Sequence, residues 1–312
     1  MSRIFDPLGM CLPIHVKGKH LMRDIWNSKC DWDNIIPEEL GQTWTLLKPE
    51  LDKIPEFKFN RCCYLDEIKL VFFCDASKLV YGFCCYALPN NLNGNFKPNL
   101  VFAKAKVAPS KGKSLPTLEL MSVFLALKCV ETIVNSLDVK VIDIYIAVDA
   151  QIVLSWVLNN KVKTKNIYAK NRINDIAKFR DDIKNKFDLN AKFKYIPTEL
   201  NPSDLITRGI TFKQLTEKFM FWVHGPSFLA LGVKAWPDRP LECLSSENKL
   251  LTNVVTLNSN LPQNADSDKL EIFSLERFSS LHMVLRVTCH ILRAVYKMRK
   301  MDKSQAETKP RI

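Results

Sequence analysis

Ile68-Lys69-Leu70-Val71-Phe72-Phe73-Cys74-Asp75-Ala76-Ser77 is the stretch on which the fold turns. Its apolar series is short, β-branched and aromatic, and it stops at Asp75-Ala76-Ser77, the pattern of a buried strand. Working outward, a second strand is predicted over 80–88, a compositional turn at Pro89-Asn90-Asn91-Leu92-Asn93-Gly94-Asn95, and a third strand over 100–107, together an antiparallel meander. Pro116-Thr117 then opens a mostly buried helix, with Leu118, Met121, Val123, Phe124, Leu125, Leu127, Val130, Ile133 and Val134 close to helical spacing and proline in the first turn, where it is tolerated. A strand over 141–148, helices over 150–158 and 167–186, a strand over 192–196 and a last helix from Pro202 to Arg208 complete the order β-β-β-α-β-α-α-β-α. That order predicts an α/β domain, a mixed five-stranded sheet flanked by helices.

Four carboxylates fall where such a sheet gathers its strand ends: Asp75 at the end of the first strand, Glu119 in the first turns of the first helix, Asp149 after the fourth strand and Asp204 at the start of the last helix. An ionised Asp75 after a run of buried-type residues is costly without a partner. Glu119 interrupts the otherwise apolar Leu118-Glu119-Leu120-Met121. Asp149 and Asp204 read equally well as helix N-caps, so their weight comes from the set of four. Oxygen ligands of this kind suit magnesium or manganese. Two such ions held roughly 3.5–4 Å apart by shared carboxylates can hydrolyse a phosphodiester.

The 312 residues are 47% hydrophobic and 25% charged, enough apolar content for a real core. No apolar run is long enough to span a bilayer and the first residues do not read as a signal peptide, so a cytoplasmic protein with no membrane partner is expected. Ten cysteines without Cys-x-x-Cys spacing speak against a disulfide framework and against a zinc site. A formal charge of +12 suits a phosphate backbone as partner. Lys104, Lys106, Lys111 and Lys113 crowd one stretch, Lys161, Lys163, Lys165 and Lys170 a second, and Lys184, Lys186, Lys192 and Lys194 a third. These are either solvated faces or contacts for phosphates that the carboxylates would otherwise repel.

The element order resembles the ribonuclease H fold. Phe73-Cys74-Asp75-Ala76-Ser77, Leu115-Pro116-Thr117-Leu118-Glu119-Leu120, Val148-Asp149-Ala150-Gln151-Ile152-Val153-Leu154-Ser155-Trp156 and the run Tyr195 to Gly209 resemble the ribonuclease H region of Pao/BEL-type LTR retrotransposon polyproteins. The resemblance implies hydrolysis of the RNA strand of RNA–DNA hybrids with two Mg2+ ions, Mn2+ substituting. It makes Asp75 the carboxylate bridging both ions, Glu119 and Asp149 ligands of one and Asp204 a ligand of the other, with 5′-phosphate and 3′-hydroxyl products. Lys104, Lys106, Lys111, Lys113 and Arg208 are the expected nucleic-acid contacts. Many ribonucleases H carry a histidine in the loop before the last aspartate; Tyr195 to Ser203 contains none, which removes histidine-assisted product release.

The resemblance extends outward. Residues 1–65, beginning with Arg3-Ile4-Phe5-Asp6-Pro7-Leu8-Gly9, are similar to the mainly helical piece that follows a reverse-transcriptase palm. Residues 66–216 are the ribonuclease H-like domain, 217–240 an aromatic extension, 241–275 a polar linker, 276–300 an amphipathic basic helix leading toward an integrase, and 301–312 a tail. The palm and the integrase, absent from the sequence, are the implied partners. A transposase core would need a late glutamate, and the available Glu199 falls on the turn after the fifth strand; an aspartic protease would need a glycine after Asp75-Ala76-Ser77. A catalytically idle remnant that at most binds nucleic acid is the reading that competes with the enzyme.

Overall fold

The computed structural model describes residues 5–30, 33–59, 67–90, 97–109, 112–158 and 166–237. The expected linker, basic helix and tail of 241–312 lie outside the described residues, as do Lys111, Lys161, Lys163 and Lys165.

Strand β1 (Glu67–Ala76) is the middle of a five-stranded sheet. It pairs antiparallel with β2 (Val80–Pro89), which pairs antiparallel with β3 (Asn99–Val107). On its other side it runs parallel to β4 (Lys140–Val148), which runs parallel to β5 (Ala191–Tyr195), giving the order β3-β2-β1-β4-β5. Apolar clusters cover both faces of this sheet, which is why β1 and β2 read as nearly unbroken apolar runs. Every residue from Leu70 to Ala76 and from Val80 to Pro89 is buried.

Alternation divides the side chains of β1 between two cores. Ile68, Leu70, Phe72 and Cys74 pack beneath α3 (Leu115–Asn135), α4 (Gln151–Leu158) and α5 (Ile167–Phe187). Val71 and Phe73 face the opposite way, with residues of α1 (Leu12–Asn27), α2 (Glu38–Asp52), α6 (Asp204–Arg208), α7 (Phe212–Glu217) and α8 (Phe219–His224). The expected fold class and element order are observed, and each predicted boundary in the sheet domain falls within two residues of the observed one.

Local chemistry fixes the ends of these elements. Pro116 sits in the first turn of α3, and the Asn166 side chain caps α5 by accepting from Tyr168 N and Ala169 N. Near the N-terminus, the Asp6 carboxylate accepts from Met10 N and Cys11 N and pairs with His15 Nδ1 at 3.1 Å, holding the turn that leads into α1. That turn covers the open edge of β3: Ala103 N donates to Leu8 O at 2.8 Å. Gly9 has φ +74°, and a Cβ there would stand 2.0 Å from Ala103 O, so no other residue fits this approach.

The aromatic residues after Gly209 lock onto the same face. Trp222 is fully buried; its Nε1 donates to Met10 O at 2.6 Å and its own carbonyl accepts from the Tyr86 hydroxyl at 2.7 Å. Phe57 stacks on Phe219 with centroids 5.0 Å apart. All described residues belong to one compact unit.

Candidate active site

Register places the first two carboxylates side by side. Cys74 of β1 is paired with the last residue of β4, Val148, and the residues that follow the two are Asp75 and Asp149. Neighbouring strands lie about 4.8 Å apart, so two acids in consecutive register occupy one strand-end. Glu119 reaches this end from the second turn of α3, the helix that covers β1 and β2. Asp204 is the first residue of α6 and closes the set from the opposite face of the sheet.

The four acids feel one another. Burial pushes the Asp75 carboxyl up to about 7, with the charges of Asp149 and Asp204 adding to the rise and the Thr207 hydroxyl holding it back. Burial, then Asp149 and Asp75, push Glu119 up to about 8. Asp149 is raised by burial and by the charge of Asp204, against the pull of the Thr198 hydroxyl. Burial of acids that repel one another raises the proton affinity of Asp75, Glu119 and Asp149 and prepares a place for a cation.

A single segment supplies a donor to three of the four. Thr198 Oγ1 donates to Asp149 Oδ2 at 3.0 Å, the buried Thr207 Oγ1 donates to Asp75 Oδ2, and Arg208 Nε donates to Asp204 Oδ1 at 2.6 Å. The segment is itself pinned to the sheet. Asn201 Nδ2 donates to Cys74 O at 3.0 Å, Ser77 Oγ to Thr207 O at 3.0 Å, and Ser203 Oγ to Gly82 O at 3.4 Å. Partners drawn from 49 to 132 residues away leave no local pattern, so Thr198, Asn201 and Thr207 escape sequence reading. Only the clustering of Ser, Thr and Asn around the acids hints at them.

The donor set is carboxylate oxygen throughout, the kind that Mg2+ or Mn2+ takes. Asp149 Oδ1 is buried and has no hydrogen-bond partner, an acceptor left over for a cation. The donor chemistry thus fits the ion. The side chains are not drawn to one point: among the described residues, no three His, Cys, Asp or Glu groups stand close enough to hold a metal. The donors from 198–208 occupy lone pairs that a metal would need.

The expected basic contacts are dispersed. Lys104 and Lys106 are exposed on β3, and their charges reach Cys129. Cys129 lies ten residues beyond Glu119, ~15 Å along α3 at 1.5 Å per residue. Lys113, in the connection to α3, lies over the Tyr168 ring. Arg208 is engaged with Asp204. Among the described residues no helix is long and apolar enough to cross a membrane.

Several solved structures are similar in fold. RNase H1 from the halophilic archaeon Halobacterium salinarum NRC-1 is 12% identical, with 48% of this chain and 98% of that one covered at a TM-score of 0.32. LC11-RNase H1, solved in complex with an RNA/DNA hybrid, is 15% identical over 47% of this chain and 99% of that one, at a TM-score of 0.34. The N-terminal RNase H domain of a Mycobacterium tuberculosis protein is 11% identical over 48% and 99%, at 0.33. No curated protein matches the chain. One family does match, over residues 1–150, which carry Asp75, Glu119 and Asp149, while Asp204 lies beyond them. Over that segment the chain is similar to the Pao retrotransposon-like RNaseH-like domain family.

Proposed function

We propose that this chain is a retrotransposon-derived ribonuclease H that hydrolyses the RNA strand of RNA–DNA hybrids. The observation that carries the reading is the strand-end cluster: Asp75 and Asp149 in consecutive register, with Glu119 and Asp204 near enough to raise or share their charge. Asp75, Glu119, Asp149 and Asp204 would hold two Mg2+ ions, or Mn2+ in their place. Such ions would supply the charge that activates water and neutralises a leaving oxygen. Thr207 orients Asp75, Thr198 orients Asp149, and Arg208 neutralises Asp204 until substrate or cation takes its place. Selectivity for the RNA strand would come from 2′-hydroxyls read across the shallow minor groove.

A catalytically idle remnant is favoured by one observation: among the described residues no three carboxylates stand close enough to hold a metal. Cleavage of a labelled RNA–DNA hybrid with Mg2+, with Mn2+ and with EDTA, beside Asp75→Asn, decides between the two. Metal-dependent cutting of the RNA strand that disappears in the variant is expected. No cutting by the folded chain with either metal would leave the idle remnant.

A further inference from the structure

The two edges of the sheet are treated differently. At β3 the edge backbone is engaged: Ala103 N donates to Leu8 O, and Lys19 Nζ donates to Ala105 O at 3.2 Å. At β5, the strand at the other edge, Ile196 N donates inward to Val148 O at 3.0 Å. In a parallel pair, alternate residues turn both N–H and C=O to the same neighbour. Lys192, Lys194 and Ile196 therefore direct their backbone at β4, and Phe193 directs its own off the sheet. Among the described residues no other element bonds the Phe193 backbone. Such an edge is a template for a further strand.

Beside it lies a cavity that the nuclease reading does not use. Register pairs Lys192 with Tyr145 and Lys194 with Ala147, so both lysines stand on the face of the sheet that carries those two side chains. On that face Val71, Phe73 and Ala147, with Phe228 and Trp236 from beyond α8, line a space of about 200 Å3, its open mouth included, together with Lys194 and Ile196. That is less than the roughly 300–1,000 Å3 of small-molecule sites, and it suits a single side chain. Tyr145 and Phe228 hold the Trp236 ring edge-on, with centroids 5.0 and 5.9 Å away. Trp236 Nε1 is buried without a hydrogen-bond partner, whereas the Trp222 indole donates to Met10 O. An orphaned buried donor is costly, and an incoming carbonyl relieves the cost.

From this geometry we infer a peptide site: an extended acidic segment of a partner protein adds to β5 as a further strand. It pairs with the Phe193 backbone, sets carboxylates opposite Lys192 and Lys194, and places one apolar side chain in the cavity with a carbonyl against Trp236 Nε1. Main-chain bonds supply affinity in this mode, and pockets for alternate side chains supply specificity. The lysines select the partner. Pairing two copies of β5 antiparallel about Phe193 would set Lys192 of each copy against Lys194 of the other, and like charges directly opposed are destabilising. The edge thus refuses a second copy of itself, while acids at the same positions turn the repulsion into attraction. Lys192 is already steadied by its bond to Asp143. None of the four clustered carboxylates takes part, so the site stands or falls apart from the nuclease reading.

The probe is a fluorescein-labelled peptide, Leu-Thr-Glu-Val-Glu-Thr-Leu, whose palindromic order lets it pair in either direction. Titrated by anisotropy against the full chain, it should bind about tenfold tighter than Glu-Glu-Leu-Leu-Thr-Thr-Val, which has the same composition and charge without the alternation. Lys194→Glu should weaken it by roughly tenfold and strengthen binding of Leu-Thr-Lys-Val-Lys-Thr-Leu by a similar factor, a reversal that a merely structural role would not produce. Trp236→Phe, which keeps a ring and removes the donor, should weaken binding by about fivefold. Lys48→Glu changes the net charge equally from exposed α2 and should bind as the parent. Hydrogen exchange over β5 should slow when the peptide is bound. Equal binding of the two acidic peptides, parental affinity in Lys194→Glu or Trp236→Phe, or binding without slowed exchange in β5 overturns the site. If Trp236→Phe melts early, Lys194→Glu with the two charge-opposed peptides decides alone.

Discussion

Replacing Asp75 by Asn in the metal-free protein should stabilise the fold above about pH 8 and leave it unchanged below about pH 4. Asp75 is 7% exposed, and its carboxyl rises from an ordinary 3.8 to about 7, a difference of roughly three units or ~4 kcal/mol at 1.36 kcal/mol per unit. The folded state holds the proton more tightly than the unfolded chain. That stability is fully present below 3.8 and is lost as the pH rises through about 7. Asn has no proton to lose and its amide oxygen can still accept from Thr207, so the variant keeps the low-pH stability throughout. Asp75, Glu119 and Asp149 titrate as a coupled set, and relief of one raises the charge on the others, so a gain of roughly 2–4 kcal/mol is expected at high pH. For a domain of this size that is on the order of 10 °C in Tm. Thermal melts of both proteins in EDTA at several pH values read it directly, and adding Mn2+ at high pH should narrow the gap by stabilising only the parent. A difference that is flat with pH, or a variant less stable at high pH, would refute the claim that the ionised acid is held against its own repulsion.

Two further substitutions follow from the donors of 198–208. Thr207→Val removes the hydroxyl beneath Asp75 with little change of shape and leaves a buried carboxylate short of a donor; denaturant unfolding at neutral pH should show a loss of about 1–3 kcal/mol, restored by Thr207→Ser. Arg208→Ala breaks an exposed i,i+4 pair and should change stability by less than about 0.5 kcal/mol, yet calorimetric titration with Mn2+ should show tighter binding because Asp204 is released.

The sheet was legible because its signal is local. The apolar run ending at Asp75 could be nothing but a strand covered on both faces, and Glu119 stood out as one charge inside a buried helical stripe. Asp149 and Asp204 were ambiguous caps in isolation; their meaning came from register, which pairs Cys74 with Val148 across 74 residues of chain. The hydroxyls that hold the acids were invisible because Thr207 and Asp75 are 132 residues apart and no periodicity links them. The lysines differ from the acids in this respect. Clustering along the chain brought Lys104, Lys106 and Lys113 together, but β3 and the connection after it turn the first two toward Cys129 and the third onto Tyr168. Arg172, which shares that ring, sits on a helix whose charge pattern reads as ordinary solvent-facing surface.

The bond from Trp222 Nε1 to Met10 O joins residues 212 apart, and it sets a timetable for biosynthesis. A ribosome adding about 5–20 residues per second needs on the order of 10–40 s between those two positions. Through that interval the turn at Asp6 and helix α1 exist without their aromatic lock, and the open edge of β3 can pair with whatever strand is nearest. Long-range closure of this kind slows folding, so helix α1 waits for its aromatic partner until Trp222 emerges.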